Sequence, residues 1–429
     1  AGRRGIRESH DYVRRGGAAA RMMLVQAAAD EWKVPVSELT VANGVITHAA
    51  SGRSTSYGKV AAAAAKIAPP DAKSIKLRDP RQWKVGGKPM KRLDTADKVN
   101  GKQVYSIDLK LPGMLHAAIK DSPVFGGKVV SYDESKISGR PGVRGVVKVG
   151  ETGVAVVADT WWRAKTALDA LPVVWDEGPG AKQSSAAISK HLQEGLTSSE
   201  NVYADTDDGD ALQAIAAAAK KVEAGYYTPF VSHACMEPMN CTVRVSAGRA
   251  EVWMPSQNAK PPRAALGAGS GLPPAQCEAY NHGLGGGFGR RGAFQDYVTQ
   301  AVLIAKTMPG TPIKLLWSRE EDMVQGRYHP IMHAKLTGGL DANNNLTGLH
   351  VRLSGQSILA AVRPAIVEQQ KGRDPLTFQG LADSGEHSFG YNIPNLLIDH
   401  AMRNTHVPPG FWRGVNINQN AVFIESFMD

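Results

Sequence analysis

Residues 283–291 read Gly283-Leu284-Gly285-Gly286-Gly287-Phe288-Gly289-Arg290-Arg291, with five glycines in the first seven positions. Glycines at this density expose main-chain amides and let an anion or an oxo group come close to the backbone. Within these nine residues no three glycines take the i, i+2, i+5 spacing of a dinucleotide-binding turn, and the Lys-Ser/Thr of a P-loop is missing. On spacing alone the stretch is either a tight structural loop or an anion cradle.

The chain around this loop has 429 residues, room for two or three domains and a sizeable core. Its 45 glycines and 25 prolines point to plentiful loops without low-complexity disorder. Composition excludes collagen, coiled coil and a small disulfide scaffold. No 18-residue stretch escapes charge or Gly/Pro interruption, so no membrane-spanning helix is expected. Lys and Arg number 50 against 40 Asp and Glu, a formal +10. The densest basic patches are Arg3, Arg4, Arg7, Arg14 and Arg15, then Lys84 to Arg92. Elsewhere the charge reads as dispersed, and exposed aromatics are not interleaved as a single-strand binder requires. A solvated basic face is expected, with no nucleic-acid partner. Cys235, Cys241 and Cys277 make an odd count without zinc-ligand spacing, so no disulfide framework is expected. Arg3-Arg4 is followed by no apolar run, so no targeting segment is expected in this chain.

Periodicity predicts a helix over about 11–32 and a hairpin over 34–47 turning at Asn43-Gly44, the strongest short-range hairpin signal. A second helix is predicted over 57–65 and a linker over 68–91. From Arg92 to Asp176 short strands alternate with Gly and Pro turns and end in a helix over 160–171. A third region, from Val202 onward, mixes strands (Thr242–Ser246, Glu251–Met254) with a helix over 296–306. The chain reads as α+β.

Ordered landmarks flank the glycine stretch: Val252-Trp-Met-Pro-Ser-Gln257 upstream, then Trp317-Ser-Arg-Glu-Glu-Asp-Met323, Tyr391-Asn-Ile-Pro-Asn395 and Phe411-Trp-Arg-Gly414. The set resembles the molybdopterin-binding subunit of the xanthine oxidase family of molybdenum hydroxylases. The similar branch is that of isoquinoline 1-oxidoreductase beta subunits and membrane-bound aldehyde dehydrogenase large subunits. Arg92-Leu-Asp94, Lys98-Val-Asn-Gly101 and Leu111-Pro-Gly-Met-Leu115 resemble that family's hammerhead module, and His233-Ala-Cys-Met-Glu-Pro238 fits as well. The resemblance implies a segment of the molybdopterin-binding region over 1–80, a small hammerhead-like α/β module over 92–176, and a large mixed α+β cofactor-binding domain over 202–429, cut at its C-terminus.

By the same resemblance, Gly286, Gly287, Phe288, Gly289 and Arg290 lie against the cofactor. Gln257 hydrogen-bonds near the metal, and Trp412, Arg413 and Gly414 approach the same place, mainly through the Arg413 backbone. The metal takes no ligand directly from the protein. Read singly these residues are ordinary: Gln257 a strand-end amide, Arg413 a stack on Trp412, Glu237 a buried structural carboxylate, Glu320-Glu321-Asp322 a solvated acidic turn. The implied cofactor is molybdopterin, as the cytosine dinucleotide. The implied partners are an iron–sulfur small subunit bearing the 2Fe–2S clusters, a membrane cytochrome subunit and a small aldehyde or N-heteroaromatic substrate. The implied location is the periplasm or the periplasmic face of the inner membrane.

Purine-oxidising relatives carry an acid where Gly292 stands, an aromatic where Val415 stands, and an arginine near Gly380-Leu-Ala-Asp383. A purine needs such polar and stacking partners, which is why aldehydes or fused N-heteroaromatics are expected instead. The family's general-base glutamate falls after the matched region, so it is expected beyond Asp429, and Glu425 is not assigned that role. The chain therefore reads as an internal portion of a longer subunit. Alone it is expected to be inactive, and the alternative is a truncated, non-catalytic module that presents a subunit-interaction surface.

Overall fold

In a computed structural model of the protein, residues 2–381 and 389–429 are described. The Ala382-Asp383 part of the segment singled out above lies outside them, as do the side chains of Arg3, Arg4 and Arg7. The chain forms two compact units, residues 1–102 and 103–429.

The first unit is built on a 31-residue helix, Gly2–Trp32, longer toward its start than the apolar pattern predicts. Strands Leu39–Ala42 and Val45–His48 pair in register Ala42↔Val45, with Asn43 and Gly44 both at positive φ (50° and 77°). That is the paired left-handed geometry a two-residue hairpin turn requires. A third strand, Arg53–Ser56, was not evident in the sequence, being polar throughout. Val25, Ala27, Ala28, Ile46, Val60 and Ala64 form the core between the long helix, the hairpin and helix Tyr57–Ala64. Residues 68–91 hold only single 3₁₀ turns, as a Pro- and Lys-rich linker should. Against the expectation of dispersed charge, residues 1–102 carry 20 Lys and Arg against nine Asp and Glu, and residues 103–429 carry 30 against 31. The basic excess belongs to the first unit, which holds both of the dense patches seen in the sequence.

In the second unit a seven-stranded sheet runs in the order Cys277–Asn281, Arg249–Met254, Asn240–Ser246, Ile313–Leu316, Leu115–Asp121, Gly153–Ala158, Val143–Val149. Its layering explains the unbroken apolar run Gly-Val-Ala-Val-Val-Ala at 153–158. Successive side chains point to opposite faces. Ala155 and Val157 enter the core under helix Asp296–Ala305, whereas Val154, Val156 and Ala158 enter the core under helix Trp161–Ala170. A strand covered on both faces has no use for polar alternation. A five-stranded sheet follows, in the order Lys220–Thr228, Met332–Leu340, Leu346–Gly355, Leu396–Met402, Val202–Asp208. Phe423 and Ile424 of helix Ile417–Met428 close one of its faces together with Phe378 and Leu381. The architecture is α+β.

One expectation fails here. Glu321 and Asp322 do not form a solvated turn; they are 8% and 4% exposed. Helix Arg319–Val324, capped by Ser318, carries them inward. Glu321 Oε1 accepts from the Asp121 backbone N–H at 2.7 Å, and Asp322 pairs with Arg319 at 2.8 Å. Burial, with the neighbouring Asp121 charge, lifts the Glu321 carboxyl to about 8, and burial lifts Asp121 to about 6.

Candidate cofactor site

Strands Arg249–Met254 and Cys277–Asn281 run parallel in register Met254↔Asn281. Both therefore end on the same edge of the sheet, the usual place for a ligand in open sheets with parallel strands. The first continues into Ser256-Gln257 and the second into the glycine loop. The Ser256 N–H donates to Asn281 Oδ1 at 2.9 Å and the His282 N–H to the Met254 carbonyl at 3.0 Å, locking the two exits together.

Gln257 lies against the loop. Its backbone N–H donates to the Arg291 carbonyl at 3.0 Å, and its Oε1 accepts from the Gly289 N–H at 2.9 Å. Among the described residues Gln257 Nε2 has no partner, so one donor of the amide remains available. The opposite wall is the loop 411–415. The Arg413 N–H donates to the Phe288 carbonyl at 2.9 Å, and the Arg413 guanidinium lies 4.2 Å over the Phe288 ring. Trp412 is anchored by its Nε1, which donates to the Ser232 carbonyl at 3.1 Å, and it also supports the Arg413 guanidinium at 5.4 Å. Gly414, at φ 77°, turns the chain into helix Ile417–Met428.

The loop is glycine-rich because its neighbours leave no room. A Cβ on Gly289, which sits at φ 110°, would overlap the Phe411 carbonyl. One on Gly285 would meet the Glu237 Cβ at 2.6 Å, and one on Gly287 would meet Gln257 Oε1 at 2.5 Å. Phe288 takes φ 52° and is 43% exposed. A left-handed, half-exposed aromatic is a conformation the surroundings must hold in place. Among the described residues the N–H groups of Gly286, Gly287 and Phe288 have no protein acceptor.

The two arginines that end the loop do different work. Arg290 is 1% exposed, pairs with Asp296 through both oxygens at 2.9 and 2.8 Å, and lies 5.6 Å from the Trp317 ring. Its guanidinium is turned away from the open face. Arg291, fully buried, donates to Glu237 Oε2 at 2.9 Å and to the carbonyls of Gly286, Glu237 and Pro238. Glu237 in turn accepts from the Ile107 and Gly285 N–H groups at 3.0 and 2.8 Å. It is the structural carboxylate expected.

Sequence reasoning assigned no role to two histidines behind the site. His233 Nε2 meets the Phe411 carbonyl at 2.7 Å, and burial lowers its pKa to about 4. His329 Nε2 meets the Val415 carbonyl at 3.2 Å, and burial lowers its pKa too. Both neutral rings hold the 411–415 loop against the glycine loop. Cys235 Sγ reaches the Gly287 carbonyl at 3.5 Å, and burial raises its pKa, which keeps it a thiol. All three cysteines are free and buried. Among the described residues no group of three or more His, Cys, Asp or Glu could hold a metal ion. Counting one residue further, Gly287, Gly289 and Gly292 do take the i, i+2, i+5 spacing that residues 283–291 lack. The strand–turn–helix context of a dinucleotide turn is absent, because Gly292 N–H folds back onto the Gly289 carbonyl and the helix starts only at Asp296. Glu425 is exposed and accepts from the Tyr391 hydroxyl at 2.6 Å, away from the loop.

Residues 196–429 match the molybdopterin cofactor-binding domain. The chain belongs to this family. Its relatives place it among the molybdopterin-binding large subunits of the xanthine oxidase family. Isoquinoline 1-oxidoreductase subunit beta of Brevundimonas diminuta is 26% identical over 474 residues, 98% of this chain and 58% of the relative. The membrane-bound aldehyde dehydrogenase [pyrroloquinoline-quinone] of Gluconacetobacter polyoxogenes is 27% identical over 438 residues, 98% of this chain and 55% of the relative. This molybdopterin-binding chain thus spans little more than half the length of either. The fold is shared with quinoline 2-oxidoreductase from Pseudomonas putida 86 (TM-score 0.60, 17% identity, 77% of this chain and 46% of that one). It is shared equally with the aldehyde oxidoreductase of Desulfovibrio gigas (TM-score 0.60, 19% identity, 79% and 41%).

Proposed function

We propose that the glycine loop, Gln257 and the 411–415 loop hold the pterin end of a molybdopterin cofactor, as the cytosine dinucleotide. The whole protein then oxidises an aldehyde or N-heteroaromatic, with water as the source of oxygen. The observation that carries this reading is the clamp around Phe288: Gln257 on one side, Arg413 on the other, and free donors between them. The residues fit such a group. Main-chain N–H groups at Gly286, Gly287 and Phe288 that have no acceptor among the described residues can receive an anionic, inflexible ligand without ordering long side chains. Gln257 Nε2 and the Gly286, Gly287 and Phe288 amides would donate to it. Trp412 and Gly414 shape the facing wall. Arg290 acts by holding the loop, since its guanidinium belongs to Asp296 and its N–H donates to the Gly287 carbonyl at 2.8 Å.

Bound there, the molybdenum centre supplies two-electron redox chemistry. The protein residues bind, orient and exclude water. Gln257 is fixed at one end by the Gly289 N–H and keeps its Nε2 without a partner among the described residues. His233 and His329, both neutral, hold the facing loop without adding charge. No side chain among these is a general base, and a glutamate beyond Asp429 is proposed for that step. The absence of an acid at Gly292 and of an aromatic at Val415 supports aldehydes or fused N-heteroaromatics over purines. The same reading assigns the 2Fe–2S clusters to a partner subunit, adds a membrane cytochrome subunit as a further partner, and puts the complex at the periplasmic face. The test is elemental analysis and pterin release on the purified complex. Stoichiometric molybdenum supports the reading; a folded complex that holds neither metal nor pterin sinks it.

A further inference from the structure

Four of the 20 Lys and Arg of the first unit line one groove. Helix Gly2–Trp32 and the extended segment 76–86 enclose about 460 Å³ between Arg14, Arg21, Lys76, Arg78 and Trp83. Among the described residues none of these four cations has a carboxylate partner, whereas their neighbours Arg15 and Arg81 are neutralised by Asp11 and Asp79. Arg14 lies 5.1 Å over the Trp83 ring and donates to the Arg78 carbonyl at 2.9 Å, so its charge is held at the mouth. Beside it opens a second groove of about 380 Å³, lined by Met23, Val36, Leu39, Val41 and Ile67. The two grooves share Arg21 and Met22. A cationic slot therefore runs directly into an apolar one.

We propose that residues 1–102 form a docking surface for an anionic lipid bilayer, with a phosphate headgroup in the cationic groove and acyl chain in the apolar one. Charge alone would fit nucleic acid equally well. One face of Trp83, however, is covered by Arg14 and the ring also meets His10, 6.0 Å away, which leaves less of it for base stacking. Apolar side chains stand among the cations on the surface: Val85 is 64% exposed, Met90 67%, and Leu93 fully so. A bilayer interface accepts such side chains, and a phosphodiester backbone does not. No helix among the described residues is long and apolar enough to cross a membrane, and the proposed contact is made by the groove and its rim. Each basic residue held near an anionic surface strengthens partitioning roughly fivefold at moderate salt.

The test is co-sedimentation of the chain with phosphatidylcholine vesicles with and without phosphatidylglycerol. Binding is expected only to the anionic vesicles and should weaken as salt shortens the screening length. The triple variant R21A/K76A/R78A, all exposed positions, should partition about 100-fold more weakly with an unchanged melting temperature. Met22→Gln with Val36→Gln should weaken vesicle binding several-fold while leaving the salt dependence intact. Any of the following outcomes overturns the proposal. The first is no binding to anionic vesicles at low salt, and the second is equal binding by the triple variant. The third is release from vesicles by glycerol phosphate at matched headgroup concentration, or retention on duplex DNA at salt that strips the vesicles.

Discussion

Arg291 and Arg413 are the same residue in two loops that touch, and they are used in opposite ways. Every hydrogen-bonding direction of Arg291 except Nε is satisfied inside the protein, by Glu237 and three carbonyls. Arg413 is exposed, stacks on Phe288 and Trp412, and has no carboxylate partner among the described residues. The first pair builds the floor of the glycine loop. The second leaves polar groups free above it. The contrast separates what shapes the site from what a ligand can meet, and each half can be broken on its own.

The largest effect is expected from the floor. Glu237→Ala strands a buried guanidinium and two half-buried backbone donors, and removing one partner of such a pair costs about 3–5 kcal/mol. Chemical denaturation of the variant should show that loss, and a wild-type midpoint would contradict the assignment. Gly289→Ala comes next. Its Cβ would overlap a backbone carbonyl at positive φ, and strain of this kind costs about 1–3 kcal/mol, read as a lower melting temperature together with loss of bound molybdenum. Arg413→Ala, on the open side, should change stability by less than about 0.5 kcal/mol while altering substrate KM. An unchanged KM would remove Arg413 from the mouth of the site.

A smaller, graded effect is expected from pH. The Glu321 carboxyl titrates at about 8 when folded, well above its ordinary range. The folded state therefore holds a proton that the unfolded state has lost, and stability falls as pH rises from about 5 to 8. His233, at about 4 when folded, acts in the other direction, its contribution fading as pH falls from the ordinary histidine range toward 4. Glu321→Gln should flatten the alkaline limb and leave the acidic limb in place, measured by thermal unfolding across that range.

Local features were legible in the sequence and long-range ones were not. The Asn43-Gly44 turn, the long first helix and the strands around Thr242 and Val252 follow from residue chemistry within a few positions. The glycine loop was legible as a close approach, and Gln257 and Arg413 as its neighbours through the ordered landmarks. That the Arg290 guanidinium pairs inward was not legible, because its partner Asp296 is an ordinary helix-start acid until the fold brings the two together. Glu321 read as solvated because its partner, the Asp121 backbone, is 200 positions away. His233 and His329 carry no local signal, since their role is to meet carbonyls of a loop far along the chain. The two basic patches at 3–15 and 84–92 were legible, but not that they belong to one unit, because charge counted along a chain does not mark where a unit ends.

The most direct measurement is the molybdenum content of Gly287→Ala beside that of the wild type, at matched melting temperature. Gly287 does not sit at positive φ, so alanine suits its backbone. The nearest atoms its Cβ would meet belong to the Gln257 side chain, Oε1 at 2.5 Å and Cγ at 2.9 Å. The clamp account predicts a folded protein in which that side chain is displaced and molybdenum falls at least tenfold, about 1.4 kcal/mol of binding. A folded variant with a full complement of molybdenum would contradict it.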